Sequence, residues 1–193
     1  MPKQKITAED ILNASLELVR EQGYEKINAR SIAQKMDCSV QPIYSCFGSM
    51  EGLMQQLFSH AKKYLDRYVD THADRNNYFE SIGKCHIGFA SEEKFLFRFL
   101  FQSPYIKASS IKDIYRMYSR VDVAQDISAT LSLSKENAEK LYTHMMIYTH
   151  GIACMIAADA VRFSCEDIHT KIDFAYWSFL QNIKEENNET HCS

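Results

Sequence analysis

Apolar residues recur every three to four positions along most of this chain, which is the spacing that places them on one face of an α-helix. The first such stripe runs from Ile11 to Val19 and stops at Gly23. Thr7 lies just before it and is followed by acidic residues, a combination typical of a helix N-terminus. The pattern therefore predicts a first helix between Thr7 and Gly23.

Two short helices and one long helix are predicted next. Asn28 would cap the second helix and Ser39 the third, with a tight turn at residues 36–38 between them. Ser49 would cap the fourth helix, whose apolar positions continue to about Thr71.

The remaining chain continues the helical pattern. We predict helices at about residues 78–90 and 95–101, one bent helix or two over 108–133, and two long helices at about 135–158 and 165–185. With only 6 Gly and 3 Pro, the chain has few residues for the tight turns of a β fold. The expected fold class is all-α.

Two short helices joined by a tight turn, with a bracing helix on each side, are typical of a helix-turn-helix. The second short helix of such a motif enters the major groove, so its polar side should be exposed while Ile43 and Phe47 face inward. Gln41 can read adenine through its amide, and Val40 and Pro42 can contact thymine methyl groups. The predicted DNA-binding residues are Asn28, Arg30, Ser39, Val40, Gln41, Pro42, Tyr44 and Ser45.

Residues 14–53 resemble the DNA-binding domain of the TetR family. In that family an apolar helix ends at a Gly-aromatic pair, and Ile-Ala, a Ser turn, Leu-Tyr, His-Phe and a Leu follow at fixed spacing. The matching residues here are Gly23-Tyr24, Ile32-Ala33, Ser39, Ile43-Tyr44, Phe47 and Leu53.

The chain departs from the family pattern at four positions. Asn28 replaces a Thr and Asp37 replaces the turn glycine, and both replacements suit their places because Asn caps helices and Asp tolerates left-handed backbone. Cys46 and Met50 replace a His and a Lys that contact phosphate in the family, so other basic residues would have to compensate. Those residues are Lys3, Lys5, Lys26 and Arg30.

Charge and composition limit the alternatives. The net charge is −3, so any DNA-binding surface must be local, and the count from residue 26 to 49 includes Lys26, Arg30 and Lys35 against Asp37. Six cysteines occur without a C-x-x-C pair, which favours free thiols in a reducing cytoplasm. The most apolar stretch, 145–158, is too short to span a bilayer, so no membrane partner is expected.

The resemblance implies a function and a domain layout. It implies a helix-turn-helix DNA-binding domain at residues 1–50 and a helical ligand-binding and dimerisation domain at 51–193. The protein would be a repressor that binds a palindromic operator as a homodimer and responds to a small-molecule effector, with no cofactor. His150-Gly151 is similar to a His-Gly pair in one large group of TetR-type regulatory domains.

Two other classes of protein remain as alternatives. The chain contains no G-x-S-x-G, P-loop, G-x-G-x-x-G or H-E-x-x-H motif, so an enzyme is not expected. A helical adaptor without DNA binding is the third class. Sequence-specific binding to a palindromic fragment would separate the regulator from both.

An effector pocket and a dimer interface are expected in the second domain. His86, Tyr118, Met145 and Tyr148 are predicted to line a largely apolar pocket, although aromatic and Met residues at helical spacing are also typical of plain core. The histidines, His144 and His150 included, are interpreted as core or pocket residues, and no metal site is predicted. The last two helices are predicted to form a four-helix bundle with a second copy through Ala153, Ala157, Ile172, Tyr176 and Phe179.

Overall fold

The computed structural model describes residues 6–190, and every regular element in that range is helical. The all-α fold is therefore confirmed for this part of the chain. Two 3-10 turns lie at Tyr24–Lys26 and Arg75–Asn77. The α-helices are α1 (Ala8–Gln22), α2 (Ala29–Lys35), α3 (Gln41–Phe47), α4 (Met50–His72), α5 (Tyr78–Glu92), α6 (Lys94–Gln102), α7 (Ile111–Tyr118), α8 (Val121–Leu131), α9 (Lys135–Ala157) and α10 (Cys165–Thr190).

The described residues divide into two compact units by packing. Unit 1 contains residues 6–70 and Glu92–Lys107, and unit 2 contains Thr71–Ser91 and residues 108–190. The helix-turn-helix therefore packs as one body with most of α4 and with α6. The functional boundary at residue 50 stays a prediction, since packing alone does not assign function to either side of it.

α1 is the central helix of unit 1 and contacts α2, α3 and α6. Ile11 and Val19 of its apolar stripe are fully buried. Thr7 caps it as predicted, because the Asp10 N–H donates to Thr7 Oγ1 at 3.1 Å and the Thr7 N–H donates to Asp10 Oδ2 at 2.9 Å. This reciprocal pair satisfies two of the backbone donors that a helix start leaves open.

α6 is anchored to the C-terminal end of α1. Tyr24 stacks on Phe99 with ring centroids 5.4 Å apart. The Arg20 guanidinium forms a bidentate pair with Glu93, with Nε donating to Oε2 at 2.8 Å, and Tyr64 Oη donates to Glu93 Oε1 at 2.7 Å. Glu93 thereby links α1, α4 and the start of α6.

α9 is the central helix of unit 2 and packs against α8 and α10. The buried side chains include Ile127 of α8, Leu141 and Ile152 of α9, and Leu180 of α10. The stretch 108–133, for which the sequence left one bent helix or two, forms two separate helices, α7 and α8.

The two long C-terminal helices begin where the sequence predicts. The Asn137 N–H donates to Ser134 Oγ at 3.2 Å, and the Asp167 N–H donates to Ser164 Oγ at 3.0 Å. Both serines are therefore N-caps. Among the described helices, none combines the length and the apolarity that crossing a membrane requires.

Candidate nucleic-acid interface

Asn28 fixes the start of α2. Its Oδ1 accepts hydrogen bonds from the N–H groups of Arg30 and Ser31, each at 3.0 Å, and its Nδ2 donates to the Lys26 carbonyl at 3.2 Å. Both ends of the side-chain amide therefore form hydrogen bonds with backbone groups. This geometry supports a positioning role for Asn28, and a direct contact with DNA stays a prediction.

The turn between α2 and α3 depends on a left-handed residue. Asp37, which stands where the family has a turn glycine, has φ 50° and therefore adopts the left-handed conformation that this turn requires. The Cys38 N–H returns to the Ala33 carbonyl at 2.9 Å, and the Cys38 thiol donates to the Ser39 carbonyl at 3.2 Å. These bonds close the turn tightly enough to bring the two short helices together.

α3 begins differently from the prediction. Val40 has helical dihedral angles, and its carbonyl already accepts from the Ile43 and Tyr44 N–H groups at 3.2 and 3.4 Å. The prediction that Ser39 is the N-cap is therefore wrong, and no side chain caps this helix. Pro42 sits in the first turn, where its missing N–H costs little. Ser39 and Val40 are exposed, and Pro42 is half-buried.

α3 has one buried face and one exposed face. Ile43 and Phe47 are buried in unit 1, as predicted. Gln41 and Ser45 are exposed, and Tyr44 keeps 47% of its surface in solvent. The exposed face therefore presents an amide, a hydroxyl and a phenol, which are groups that can bind base edges and phosphates.

The junction between α3 and α4 is held rigidly. Gly48, with φ 72°, ends α3 by donating its N–H to the Tyr44 carbonyl at 2.9 Å. Ser49 caps α4 as predicted, since its Oγ accepts from the Gly52 N–H at 3.0 Å. A β-carbon added to Gly52 would collide with the Phe47 carbonyl oxygen. Only glycine fits there without a shift of α3 against α4.

Lys35 is already engaged within the protein. Its Nζ lies 2.8 Å from Glu21 Oε1 and 3.2 Å from Glu17 Oε2, both on α1. The hydrogen bond to Glu21 raises the pKa of Lys35. Lys35 is therefore a poorer source of phosphate contacts than its place in the motif suggests.

The remaining basic residues of the motif are better placed. Lys26 and Arg30 are exposed, and neither forms an ion pair with any residue that the structure describes. Cys46 is exposed on α3 where the family has its histidine. The two tail lysines, Lys3 and Lys5, lie outside the described residues.

The predicted pocket residues lie on three helices of unit 2. His86 of α5 meets His150 of α9, with Nε2 and Nδ1 3.1 Å apart. Tyr148 faces α10 instead, where its ring is edge-on to Phe179 at 6.4 Å. His86 and Tyr148 thus contact different partners on different sides of α9.

The other two predicted pocket residues are less exposed than a ligand-lining role would suggest. Met145 is buried on α9. Tyr118 is partly buried at the end of α7, and this burial raises the pKa of its phenol. The pocket stays a prediction.

Three of the residues predicted for the dimer interface are buried inside their own subunit. They are Ala153, Ala157 and Ile172, none of which a second copy could reach without unfolding part of the first. Tyr176 and Phe179 are partly exposed, and each already contacts an aromatic ring of its own chain. The interface residues named from the sequence therefore point mainly inward.

Other large apolar side chains of α9 and α10 are exposed, and they are not among the five interface residues predicted from the sequence. Phe174 keeps 75% of its surface in solvent and Trp177 keeps 64%. Ile147 and Met155 of α9 are exposed as well, and Gly151 lies between them on the same helical face with open space around it. We call these five residues the α9–α10 apolar face.

A comparison with known proteins agrees with this geometry. The family model described as "Bacterial regulatory proteins, tetR family" matches residues 11–57, which run from α1 through α3 into α4. A search of curated proteins found no match. The helix-turn-helix geometry and this family match together show that residues 11–57 are similar to the TetR-type DNA-binding domain, which supports a DNA-binding transcriptional regulator.

Proposed function

We propose that the protein is a repressor that binds a palindromic operator as a homodimer and is released by a small-molecule effector. The observation that carries this proposal is the two-sided character of α3. Ile43 and Phe47 hold it in unit 1 while Gln41, Tyr44 and Ser45 stay in solvent. A helix held in this way can lie in a major groove without losing its packing.

Phosphate binding is proposed for a small set of groups. The α3 sequence contains no basic residue, so α3 supplies base contacts and the Tyr44 hydroxyl. Lys26 and Arg30 supply the positive charge near the motif, since Lys35 is paired with Glu17 and Glu21. With so few phosphate contacts, we expect operator affinity to depend weakly on salt concentration.

Homodimerisation is supported by the α9–α10 apolar face. Phe174 and Trp177 are large apolar side chains, three residues apart on α10, and both are mostly exposed to solvent. Exposed apolar patches of this kind mark sites of protein–protein contact. A glycine within a helix costs roughly 0.5–1 kcal/mol relative to alanine, and among the described residues of its own chain nothing lies close enough to require Gly151. The close approach of a partner helix would explain both features.

The repressor mechanism requires the effector to bind the DNA-free form more tightly than the DNA-bound form. By linkage, such a ligand must weaken operator binding by the same factor. We propose that the effector binds in unit 2, where His86, Tyr118, Met145 and Tyr148 are located. The role is regulatory and not enzymatic, and we propose that it operates in the cytoplasm.

The proposal can be tested by selection from a random double-stranded DNA pool. Repeated rounds of binding to the full-length protein should enrich an inverted repeat whose half-sites are one helical turn, about 10 bp, or a multiple of it apart. Enrichment of no sequence would overturn sequence-specific binding, and enrichment of a single half-site would overturn the dimeric mode.

Gln41→Ala should relax operator specificity at one base pair of each half-site. Loss of a bidentate amide contact costs about 1–3 kcal/mol at the correct base and little at the others. Binding to operators substituted one position at a time measures this effect. Tyr44→Phe is the matched variant, and it should weaken binding to all of these operators alike. Unchanged preference in Gln41→Ala would exclude base reading by this residue.

Arg30→Ala should reduce the salt dependence of operator binding. Removal of one phosphate contact lowers the slope of log K against log salt by about 1. Lys35→Ala is the matched control, because its charge is held by Glu17 and Glu21. Fluorescence anisotropy across a salt series gives both slopes. Equal changes in the two variants would contradict the assignment of the phosphate contact to Arg30.

A further inference from the structure

Three side chains of unit 2 form a hydrogen-bonded line from α5 to α9. His86 Nε2 lies 3.1 Å from His150 Nδ1, and His150 Nε2 lies 3.3 Å from the Cys154 sulfur. His150 and Cys154 are four residues apart on α9, so they share one helical face. The Cys154 thiol, the His150 imidazole and the His86 imidazole are thus joined in that order by hydrogen bonds.

The two histidines are neutral near pH 7. Burial lowers the pKa of His150, and burial together with the neighbouring His150 lowers the pKa of His86 to about 3. A neutral imidazole has one donor and one acceptor nitrogen. If the Cys154 thiol donates to His150 Nε2, then His150 Nδ1 must carry the hydrogen and donate to His86. This order makes His150 the proton acceptor for the thiol, with its ring held by His86.

The arrangement is not a metal site. Cys154 and His86 are bonded to opposite nitrogens of the His150 ring, so one ion could not bind the sulfur and the nitrogen that faces His86. No group of three or more His, Cys, Asp or Glu residues within the described part of the chain is placed to hold a metal ion.

Cys154 differs from the other described cysteines. It is partly exposed, whereas Cys85 is buried. Cys38 donates to a backbone carbonyl, which cannot act as a base. Cys46 and Cys165 are exposed, and neither has an imidazole within hydrogen-bond distance among the described residues. Cys154 therefore combines access from solvent with an adjacent base.

We propose that Cys154 is a nucleophilic thiol that takes up electrophilic small molecules of the α,β-unsaturated carbonyl class, with His150 as its base and His86 as the positioning residue. This inference rests on the proposed effector response and names the chemical class of the effector.

The reaction is an addition that needs no oxidant. The Cys154 sulfur bonds to the β-carbon of the electrophile while its proton passes to His150 Nε2. The electrons of the carbon–carbon double bond move towards the carbonyl group and give an enolate. The proton then returns from His150 to the α-carbon, leaving a thioether and a neutral histidine. His150 Nε2 lies 3.3 Å from the sulfur, so it can take the proton as the thiolate character that attacks the β-carbon develops.

An adduct at Cys154 would act beside the α9–α10 apolar face. Gly151, which belongs to that face, lies three residues before Cys154 and so is its neighbour on the helix. The adduct removes the hydrogen bond to His150 and adds volume at this position. We therefore expect it to disturb the paired helices and lower operator affinity.

The first experiment measures the reaction at each thiol separately. The full-length native protein is treated with N-ethylmaleimide at pH 7, and peptide mass spectrometry gives a rate for each cysteine. Cys154 should react at least about tenfold faster than Cys165, since a positioned general base contributes this much or more. In denaturant the two rates should become equal. This comparison needs no substitution, so it does not depend on how well a variant folds.

Variants then test the roles of the two histidines. His150→Gln should lower the Cys154 rate by about tenfold and leave the Cys165 rate unchanged. His86→Ala should lower the Cys154 rate, and His86→Gln should restore it, because the glutamine amide oxygen can accept the same hydrogen bond from His150. A Cys154 rate no higher than that of Cys165, or one that His150→Gln leaves unchanged, would overturn the proposal.

The second experiment links the reaction to DNA binding. Both arms carry Cys46→Ser, so that no adduct forms on α3, and the affinity of that variant is the reference. N-ethylmaleimide should lower operator affinity at least tenfold in this background and have no effect once Cys154→Ser is added. Reaction at Cys154 without loss of affinity would overturn the regulatory role. Failure of the unmodified protein to bind any operator would count against the proposed function and leave the measured thiol rates standing.

Discussion

Phe174→Glu should convert the protein to a monomer and lower its operator affinity by about a hundredfold or more, the range by which two linked binding modules exceed one. Phe174 is 75% exposed in the subunit, so a glutamate there hardly changes folding of the single chain. In a paired four-helix bundle the same side chain would place an unpaired charge in an apolar interface. The variant therefore separates dimerisation from folding.

Sedimentation at micromolar concentration and operator titration measure the two effects. Gln125→Glu is the matched control, because it adds the same charge at an exposed position of α8 in the same unit. A charge at Ala157 would be a poorer test, since Ala157 is buried in its own subunit and the change would destabilise the fold. A Phe174→Glu protein that stays dimeric would show that the α9–α10 apolar face is not the interface.

The sequence predicted most helix positions because caps and periodicity are local signals. Thr7, Asn28 and Ser49 cap the helices expected of them. Ser39 does not cap α3. The sequence could not show that Val40 already has helical dihedral angles, because these follow from the left-handed turn at Asp37 and its hydrogen bonds.

The side of α9 that faces outward could not be predicted. This helix is apolar over most of its circumference near its end, so periodicity gives no direction. Small residues were assigned to the dimer interface, yet Ala153 and Ala157 are buried within the subunit. On α10, Ile172 was predicted for the interface but is buried, whereas Phe174 is the exposed side chain.

Contacts between residues that are far apart along the chain could not be predicted from the sequence either. The placement of α6 against α1 depends on Arg20 and Glu93, which are 73 residues apart. His150 and Cys154 could have been paired from their spacing of four residues, but the partner His86 lies 64 residues before His150. Periodicity describes which face of a helix is apolar and does not say which helix covers it.

Gly52→Ala should destabilise the protein although it replaces a helical glycine by the best helix former. The substitution gains up to about 1 kcal/mol in helix propensity. The new methyl group would collide with the Phe47 carbonyl oxygen, which is backbone and cannot move without shifting α3. Overpacking of this kind typically costs about 1–3 kcal/mol, and the Gly52 N–H bond to Ser49 would also lengthen. We expect the cost to exceed the gain, with weaker operator binding as α3 leaves its position.

Urea unfolding at a fixed protein concentration measures the change in stability, since a dimer's midpoint depends on concentration. Gln56→Ala is the control, because it places an alanine at an exposed position one turn further along α4 and should change stability by less than about 0.5 kcal/mol. If α3 and α4 were free to separate, Gly52→Ala would stabilise the protein by about the helix-propensity gain. A rise in stability would therefore contradict the rigid junction, whereas a loss of stability together with a loss of operator affinity would establish that the Phe47–Gly52 contact sets the angle at which α3 is presented to DNA.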